Sequence, residues 1–261
     1  MIVDCKARAE EILQMAKGRH GNLAIVQVGN DPRSNVYVRG KVKDCQKIGI
    51  GCEVFKLASS AEEYEVEDVI DNLNRDRSFT GIIVQLPLPG NLDEDYLCRQ
   101  IIPNKDVDGF GPYSIYNPCT PEGIVWLLKQ LHGSLRGAEA VIVGRGKLVG
   151  APLKDMLLDQ DATVTVCHSH TRNLREYTKR ADIVVLATGK HIFDQSYFRT
   201  SLGRQTVIDA GITFDENGKL CGDLIADQVD HSNMNITPVP GGVGLLTRAV
   251  LVAHTAGVRL I

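Results

Sequence analysis

Apolar residues follow two different spacings along the chain. Short continuous apolar runs predict buried strands, and the segments between them repeat apolar residues every three or four positions, which predicts helices. Such alternation predicts parallel sheets covered by helices, an α/β fold. The predicted strands are residues 23–28, 53–57, 81–86, 140–143 and 163–166, with others near 182, 206 and 236. The predicted helices are residues 4–17, 34–48, 60–73, 92–102 and 120–131, with others from about 149 and 246.

Two series of these elements are separated by a loop rich in Pro, Asn, Asp and Gly at residues 103–120. A chain of 261 residues can form two domains that each bury a core. We predict one domain from residues 1–118 and 246–261, to which the last helix returns, and a Rossmann-like domain from residues 119–245. Within the first series, Ser60-Ala61-Glu62-Glu63 predicts a capping box at a helix start.

Charge and cysteine content narrow the class of protein. The net charge of −3 provides no basic field for nucleic acid or for an anionic membrane. No apolar run reaches transmembrane length, and the N-terminus lacks the apolar core of a signal peptide. Seven cysteines without a Cys-x-x-Cys pair favour free thiols in a reducing cytosol. We therefore expect a cytoplasmic protein with small-molecule partners, and neither nucleic acid nor membrane among them.

The stretch 139–150 is the first candidate for chemistry. An apolar run ends at Gly144, Gly146 and Gly150 follow, and a helical pattern starts near Val149. Glycines allow close approach of the backbone to a pyrophosphate, which the N–H groups at a helix start can bind. The spacing is one residue longer than the common dinucleotide motif, so the same residues could form a plain strand-to-helix turn.

The next predicted strand ends without an acidic residue. It is followed by His168, Ser169, His170 and Thr171, whereas an NAD site usually has Asp or Glu there to hold the ribose hydroxyls. Arg145 and Ser169 offer donors that would suit a 2′-phosphate, which favours NADP over NAD. Each could equally be an ordinary loop residue. The two histidines have no third ligand at suitable spacing, so no metal site is predicted.

Three further candidates lie in the first series. Tyr37 and Lys41 share a helix face with Ser34 one turn earlier, so a ring could stack on a flat heterocycle beside an amine that moves protons. The alternative is a solvated Tyr–Lys pair. Gln85, at a strand end, could orient Lys41 by a hydrogen bond or simply cap backbone. Asp108 could accept two N–H bonds from a heterocycle, or belong only to an Asx-turn.

The last candidate is the glycine run Pro240-Gly241-Gly242-Val243-Gly244 before the final helix. It could let backbone approach a flat ligand, or it could be a tight turn.

Read together, these segments resemble the bifunctional methylenetetrahydrofolate dehydrogenase/methenyltetrahydrofolate cyclohydrolase family. The matches run through nearly the whole chain in the family's order. They are residues 34–41, 45–49, 84–89, 105–110, 118–123, 141–152, 162–171, 181–190, 207–212, 222–223 and 236–244.

The resemblance implies two α/β domains around a cleft and a cytosolic homodimer. One domain would be a three-layer α/β folate-binding domain completed by the C-terminal helix, and the other a Rossmann-like NADP-binding domain. The implied activity, in one-carbon metabolism, is oxidation of 5,10-methylenetetrahydrofolate with NADP to the 5,10-methenyl compound, then hydrolysis to 10-formyltetrahydrofolate.

Residue roles also follow from the resemblance. The implied catalytic residues are Lys41 as the acid/base, Tyr37 stacking on the folate and Gln85 supporting Lys41. The implied substrate-binding residues are Ser34, Tyr37, Asp108 (on the pterin ring), Pro240, Gly241 and Gly242. The implied cofactor-binding residues are Gly144, Arg145, Gly146, Val149, Gly150, His168, Ser169, Thr171, Ala187, Thr188, Gly189, Gly211 and Ile212.

Two positions depart from the family pattern. Gly146 stands where the family usually has serine, which removes a hydroxyl near the cofactor phosphates. Leu245 stands where it usually has proline, and we expect a looser start of the last helix. Two alternatives stay open at this point: a dehydrogenase with weak cyclohydrolase activity, and a non-catalytic NADP-binding regulatory protein.

Overall fold

The computed structural model of the chain describes residues 1–200, 203–216 and 218–261, which divide into two compact units. The first unit comprises Ala9–Cys119 and Arg248–Leu260. The second comprises Met1–Arg8, Thr120–Thr247 and Ile261.

The N-terminal half alternates helices and strands as the apolar pattern predicts. Strand β1 (Asn22–Val28) is central, and β2 (Gly51–Leu57) and β3 (Gly81–Val84) pair with it in parallel on either side. Residues 23–28 of β1 are all buried, which explains why this strand reads as a continuous apolar run. The elements are α1 (Cys5–Ala16), β1 (Asn22–Val28), α2 (Pro32–Ile48), β2 (Gly51–Leu57), α3 (Glu63–Arg75), β3 (Gly81–Val84) and α4 (Glu94–Arg99).

Helix α2 starts immediately after β1, at the carboxyl end of the sheet. The Asp31 carboxylate accepts the Ser34 N–H at 2.8 Å, and Pro32 occupies the first turn, where its missing N–H costs nothing. This local sequence therefore fixes where the face bearing Ser34 and Lys41 begins.

Some predicted boundaries are wrong. The capping box lies two residues later than expected, because the Glu65 carboxylate accepts the N–H of Glu62 and Ser60 is not the cap. Strand β3 ends at Val84, although the Gln85 N–H still donates to the Val26 carbonyl at 2.8 Å. Helix α4 is shorter than predicted because Asp93 caps it by accepting the Tyr96 N–H.

The second unit contains a parallel sheet whose strands lie in the order β5 (Thr163–Cys167), β4 (Glu139–Val143), β6 (Ile183–Leu186), β7 (Gln205–Asp209) and β10 (Met234–Ile236). From β4 the chain proceeds first to β5 on one side and then to β6 on the other, so β4 borders a topological switch point. The elements are α5 (Cys119–His132), β4 (Glu139–Val143), α6 (Gly150–Leu158), β5 (Thr163–Cys167), α7 (Leu174–Arg180), β6 (Ile183–Leu186), β7 (Gln205–Asp209), β8 (Thr213–Phe214), β9 (Leu220–Cys221), β10 (Met234–Ile236) and α8 (Val243–Thr255).

The start of the chain belongs to this second unit. Ile2 forms a parallel bridge with Ile236, and the Val3 N–H donates to the Ile236 carbonyl at 2.8 Å. These backbone bonds extend the sheet beyond β10 and explain why Met1–Arg8 group with it.

The last helix begins at Val243, three residues before the predicted start. The Leu245 N–H donates to the Gly242 carbonyl at 3.0 Å, a bond that a proline at this position could not form. The expected looser start is therefore not observed. From Arg248 onward the helix groups with the first unit, where the Arg248 Nε donates to the Asp44 carboxylate at 2.8 Å.

None of the helices among the described residues is both long enough and apolar enough to cross a bilayer.

Candidate functional site

A buried lysine lies at the carboxyl end of the first unit's sheet. Lys41, on α2, is 8% exposed, and its Nζ donates to Gln85 Oε1 at 2.9 Å. The Gln85 side-chain amide in turn donates to the Leu86 carbonyl at 2.7 Å, which directs its oxygen towards the ammonium. The hydrogen bond expected between the two residues is thus present.

The environment of Lys41 favours its neutral form. Burial lowers the pKa of the Lys41 ammonium, because a charged group loses its hydration there. The nearby Asp108 carboxylate opposes this shift, and Gln85 is a neutral partner that adds no charge. An amine held in this way can exchange protons nearer neutral pH than an exposed lysine.

Ser34 and Tyr37 accompany Lys41 on the same helix. Ser34 is buried, and its hydroxyl oxygen has no hydrogen-bond partner among the described residues, which is unusual for a buried polar atom. Tyr37 is half-buried, and this burial raises the pKa of its phenol, while the Arg248 guanidinium opposes the shift. A buried hydroxyl without a partner suits a ligand that supplies one.

The loop that carries Asp108 is shaped by its neighbour. The Asp106 carboxylate accepts the N–H groups of Gly109 at 3.1 Å and Gly111 at 2.7 Å. The φ of +74° at Gly109 and the close carbonyl of Asn117 both require glycine there. Asp106 therefore accounts for the turn, and Asp108 is the carboxylate whose charge acts on Lys41.

In the second unit the glycine turn lies at the switch point. A Cβ on Gly144 would come within 2.2 Å of the Ala187 carbonyl oxygen, and one on Gly150 within 2.1 Å of the Gly144 carbonyl oxygen. The loops after β4 and β6 thus touch, with α6 beginning immediately beyond them. By contrast, Gly146 has open space around it and Arg145 is exposed.

The loop after β5 is closed by a side chain. The His168 N–H donates to the Thr171 hydroxyl at 2.9 Å, and the Thr171 N–H donates to the His168 carbonyl at 2.8 Å. Ser169 between them is exposed, and so is Arg145. Both donors predicted for a 2′-phosphate are therefore available to a ligand.

Two carboxylates that we had not selected from the sequence hold the other loops of this edge. Asp223 accepts N–H groups from Thr188 at 2.6 Å and Lys190 at 2.9 Å, and the Thr188 hydroxyl at 2.8 Å. Asp209, at the end of β7, accepts N–H groups from Gly211 and Asp223 at 3.0 Å and from Leu224 at 2.9 Å. Asp223 thereby holds the predicted cofactor residue Thr188 from 35 residues away, whereas Asp209 holds Gly211 from two residues away.

Burial raises the pKa of Asp209 to about 6, although its three backbone donors favour the charged form. The signal for this residue in the sequence is an acid at the end of an apolar run, which is where sites on parallel sheets occur.

The remaining predicted positions fall in the second unit as well. Gly211 is buried and Ile212 is about half exposed. Gly241 has a φ of +93°, and a Cβ on Gly242 would meet the Pro238 carbonyl oxygen at 2.0 Å. Glycine is therefore required at both positions, immediately before α8.

Among the described residues no group of three or more His, Cys, Asp or Glu side chains could hold a metal ion.

Comparisons with known proteins match two parts of the chain to two domains of one family. Residues 3–108 match the family model described as the tetrahydrofolate dehydrogenase/cyclohydrolase catalytic domain. Residues 118–259 match the model of the same family's NAD(P)-binding domain. The two matches meet in the loop between the two series of elements.

Individual relatives resemble the chain over almost its full length. The bifunctional protein FolD of Agathobacter rectalis is 45% identical, over 94% of this chain and 91% of that protein. The crystal structure of the bifunctional FolD enzyme from Campylobacter jejuni superposes with a TM-score of 0.92 at 37% identity, covering 98% of this chain and 97% of that one. The Trypanosoma brucei enzyme, solved with NADP and an inhibitor, gives 0.88 at 29% identity, covering 98% and 95%.

Proposed function

Since the chain belongs to the tetrahydrofolate dehydrogenase/cyclohydrolase family, we propose that it oxidises 5,10-methylenetetrahydrofolate to the 5,10-methenyl compound with NADP and then hydrolyses this product to 10-formyltetrahydrofolate. Within the molecule, the observation that supports this proposal is the buried Lys41 ammonium, which donates a hydrogen bond to Gln85. A buried amine whose partner is neutral can exchange protons nearer neutral pH than an exposed lysine.

Lys41 serves as the acid/base of the hydrolytic step. The methenyl substrate is a cation, and water must lose a proton as it adds to the electrophilic carbon. Neutral Lys41 accepts that proton, and the resulting ammonium returns it to the ring nitrogen as the carbon–nitrogen bond opens. The hydroxyl left on the carbon becomes the formyl carbonyl by releasing its own proton to solvent, so one proton is released overall. Burial, which lowers the pKa of Lys41, keeps enough of the amine neutral for this role.

The other residues of the first unit bind the folate. Tyr37 stacks on the flat ring system, the Ser34 hydroxyl donates to it, and the Asp108 carboxylate accepts N–H groups of the pterin. Support comes from the buried Ser34 oxygen without a partner and from the position of all three at the carboxyl end of the sheet.

The second unit binds NADP. Its structure fits this cofactor, because the glycine turn leaves no side chain between β4, β6 and the start of α6. Arg145 and Ser169 hold the 2′-phosphate. His168 and Thr171 shape the loop that carries Ser169. The rest of the cofactor site is lined by Ala187, Thr188, Gly189, Gly211 and Ile212. The phosphates would lie against the glycine turn, at Gly144, Gly146, Val149 and Gly150. When bound, NADP accepts the hydride that the methylene carbon releases.

We assign residues 1–118 and 246–261 to the folate-binding domain and residues 119–245 to the NADP-binding domain, and we propose a cytosolic homodimer. The seven cysteines of the sequence include no Cys-x-x-Cys pair, which supports a reducing compartment. Light scattering on the purified protein would show twice the chain mass of 28.6 kDa if the dimer forms.

A dual assay tests the proposed function. We expect absorbance of reduced nicotinamide when methylenetetrahydrofolate and NADP are added, and decay of methenyltetrahydrofolate without any cofactor. Oxidation without hydrolysis would leave a dehydrogenase, and NADP binding without either reaction would leave a regulatory protein. Repeating the oxidation with NAD, on the wild type and on Gly146→Ser, would measure how the glycine affects cofactor preference.

A further inference from the structure

A buried histidine on the last helix contacts the loop that carries Asp108. His254 is fully buried, and its Nδ1 lies 2.9 Å from the Val107 carbonyl oxygen. The Tyr116 ring stacks on the imidazole, with centroids 4.5 Å apart and planes at 24°. These contacts, all within the first unit, hold the imidazole in one orientation.

The contact defines which ring nitrogen carries hydrogen. A carbonyl oxygen only accepts hydrogen bonds, so the Nδ1 of His254 must be the donor. The Cys119 thiol lies 3.2 Å from the same oxygen and 3.7 Å from Nδ1. Since Nδ1 already bears hydrogen, the thiol also donates to the carbonyl. Two side chains therefore converge on the oxygen of Val107.

This oxygen controls the direction of the next residue. The Val107 carbonyl and the Asp108 N–H belong to one rigid peptide plane, so fixing the oxygen fixes how the chain enters Asp108. On the other side of Asp108, its carbonyl accepts the Cys119 N–H at 3.4 Å. The Val107 side chain also packs on Gly81, where a Cβ would lie 2.8 Å from it.

We propose that His254 is a positioning residue for Asp108, through its hydrogen bond to the Val107 carbonyl. The inference rests on the proposed function, in which Asp108 binds the pterin. It assigns to the C-terminal helix a role in substrate affinity, besides its packing on the sheet.

The arrangement has two consequences for activity. Misplacing the Asp108 carboxylate weakens folate binding. It also removes the negative charge that favours the ammonium of Lys41, so the pKa of Lys41 falls further below the ordinary value. Because the hydrolytic step uses the neutral amine, the rate would then rise at lower pH than in the wild type.

A matched pair of variants tests this role. His254→Leu keeps the bulk but loses the donor, and His254→Asn keeps an amide N–H near the position of Nδ1. We expect the Leu variant to raise KM for methylenetetrahydrofolate roughly tenfold, as loss of a buried hydrogen bond would. Its cyclohydrolase pH profile would move to lower pH, whereas the Asn variant restores both properties. NADP affinity would stay within about twofold in all variants.

Thr255→Val is the structural control. Thr255 is buried beside His254, but its hydroxyl donates to the Leu251 carbonyl of the same helix at 2.9 Å. Equal KM changes in Thr255→Val and His254→Leu, or no recovery with Asn, would overturn the proposal. If the wild type shows neither reaction, the proposed function fails instead.

A measurement on the wild type remains decisive if His254→Leu does not fold. Nitrogen NMR shifts distinguish a ring nitrogen that bears hydrogen from one that does not. We expect His254 Nδ1 to bear hydrogen, and a bare Nδ1 would overturn the inference.

Discussion

The Lys41 side chain is unusual because its partner carries no charge. A buried lysine commonly faces a carboxylate, which would keep it protonated, whereas Gln85 holds the amine in place without that effect. The residue is thereby oriented and kept titratable. Its predicted role in hydrolysis depends on both properties.

Changing Gln85 to glutamate should move the pH profile of hydrolysis. A carboxylate at this position favours the ammonium, so it raises the pKa of Lys41. The neutral amine then forms only at higher pH, and we expect the rising limb of the cyclohydrolase rate to shift upward by about one pH unit or more. Gln85→Met, similar in size and uncharged, is the control. If Gln85→Glu keeps normal activity and the rising limb of its pH profile does not move, Lys41 is not the titrating group.

At the scale of elements, backbone contacts between loops build the predicted cofactor site. The turns after β4 and β6 touch at Gly144 and Ala187, and the start of α6 closes on Gly144 through Gly150. There is no room for a side chain at these contacts. The glycines of the turn are therefore not equivalent, although the sequence shows them as one motif.

This inequivalence predicts different effects of the same substitution. Gly150→Ala places a methyl 2.1 Å from the Gly144 carbonyl oxygen, so we expect a loss of about 1–3 kcal/mol in the free energy of unfolding and weaker NADP binding. Gly146→Ala meets no atom within 4 Å and should leave stability nearly unchanged. Urea unfolding of both variants measures this difference, and equal losses would refute the assignment.

Asp209 should make stability depend on pH. Its pKa is raised in the folded protein to about 6, above the unfolded value, so protonated Asp209 is favoured by folding. Its contribution to the free energy of unfolding is full below about pH 4 and is lost as pH rises through about 6. Relative to Asp209→Asn, the wild type should lose up to about 3 kcal/mol between these limits. Urea unfolding midpoints from pH 4 to 7 measure this loss, and the exposed variant Asp159→Asn corrects for general charge effects. A difference between the wild type and Asp209→Asn that stays constant with pH would disprove the shift in the pKa of Asp209.

Apolar spacing predicted nearly all helices and the longer strands, because residues close together in the sequence determine which face of such an element is buried. The pattern missed the β8–β9 hairpin, whose strands, Thr213–Phe214 and Leu220–Cys221, are too short to show a period. It also placed the start of α3 too early, since several acids compete for the cap.

Within the candidate site, sequence reasoning succeeded where partners follow from the topology. Lys41 lies on the helix that follows β1, and Gln85 directly follows β3, which pairs with β1, so their contact could be predicted. It missed Asp223, which binds Thr188 35 residues away, and His254, which binds Val107 across 147 residues. Pairings of this kind form only in the folded loops, so no regular residue spacing in the sequence reveals them.

At the scale of the whole molecule, the two predicted binding functions lie in separate compact units. Lys41, Gln85, Tyr37 and Asp108 belong to the first unit, and the glycine turn belongs to the second. Each unit has its own sheet. A change at Lys41 should therefore affect chemistry on the folate without altering the fold that holds NADP.

The most direct test of the account is cyclohydrolase activity in Lys41→Met, measured beside NADP binding by titration. We predict that hydrolysis of methenyltetrahydrofolate is abolished while the dissociation constant for NADP is unchanged, and that Lys43→Met, an exposed lysine on the same helix, behaves as the wild type. Hydrolysis at the wild-type rate by Lys41→Met would contradict the central claim.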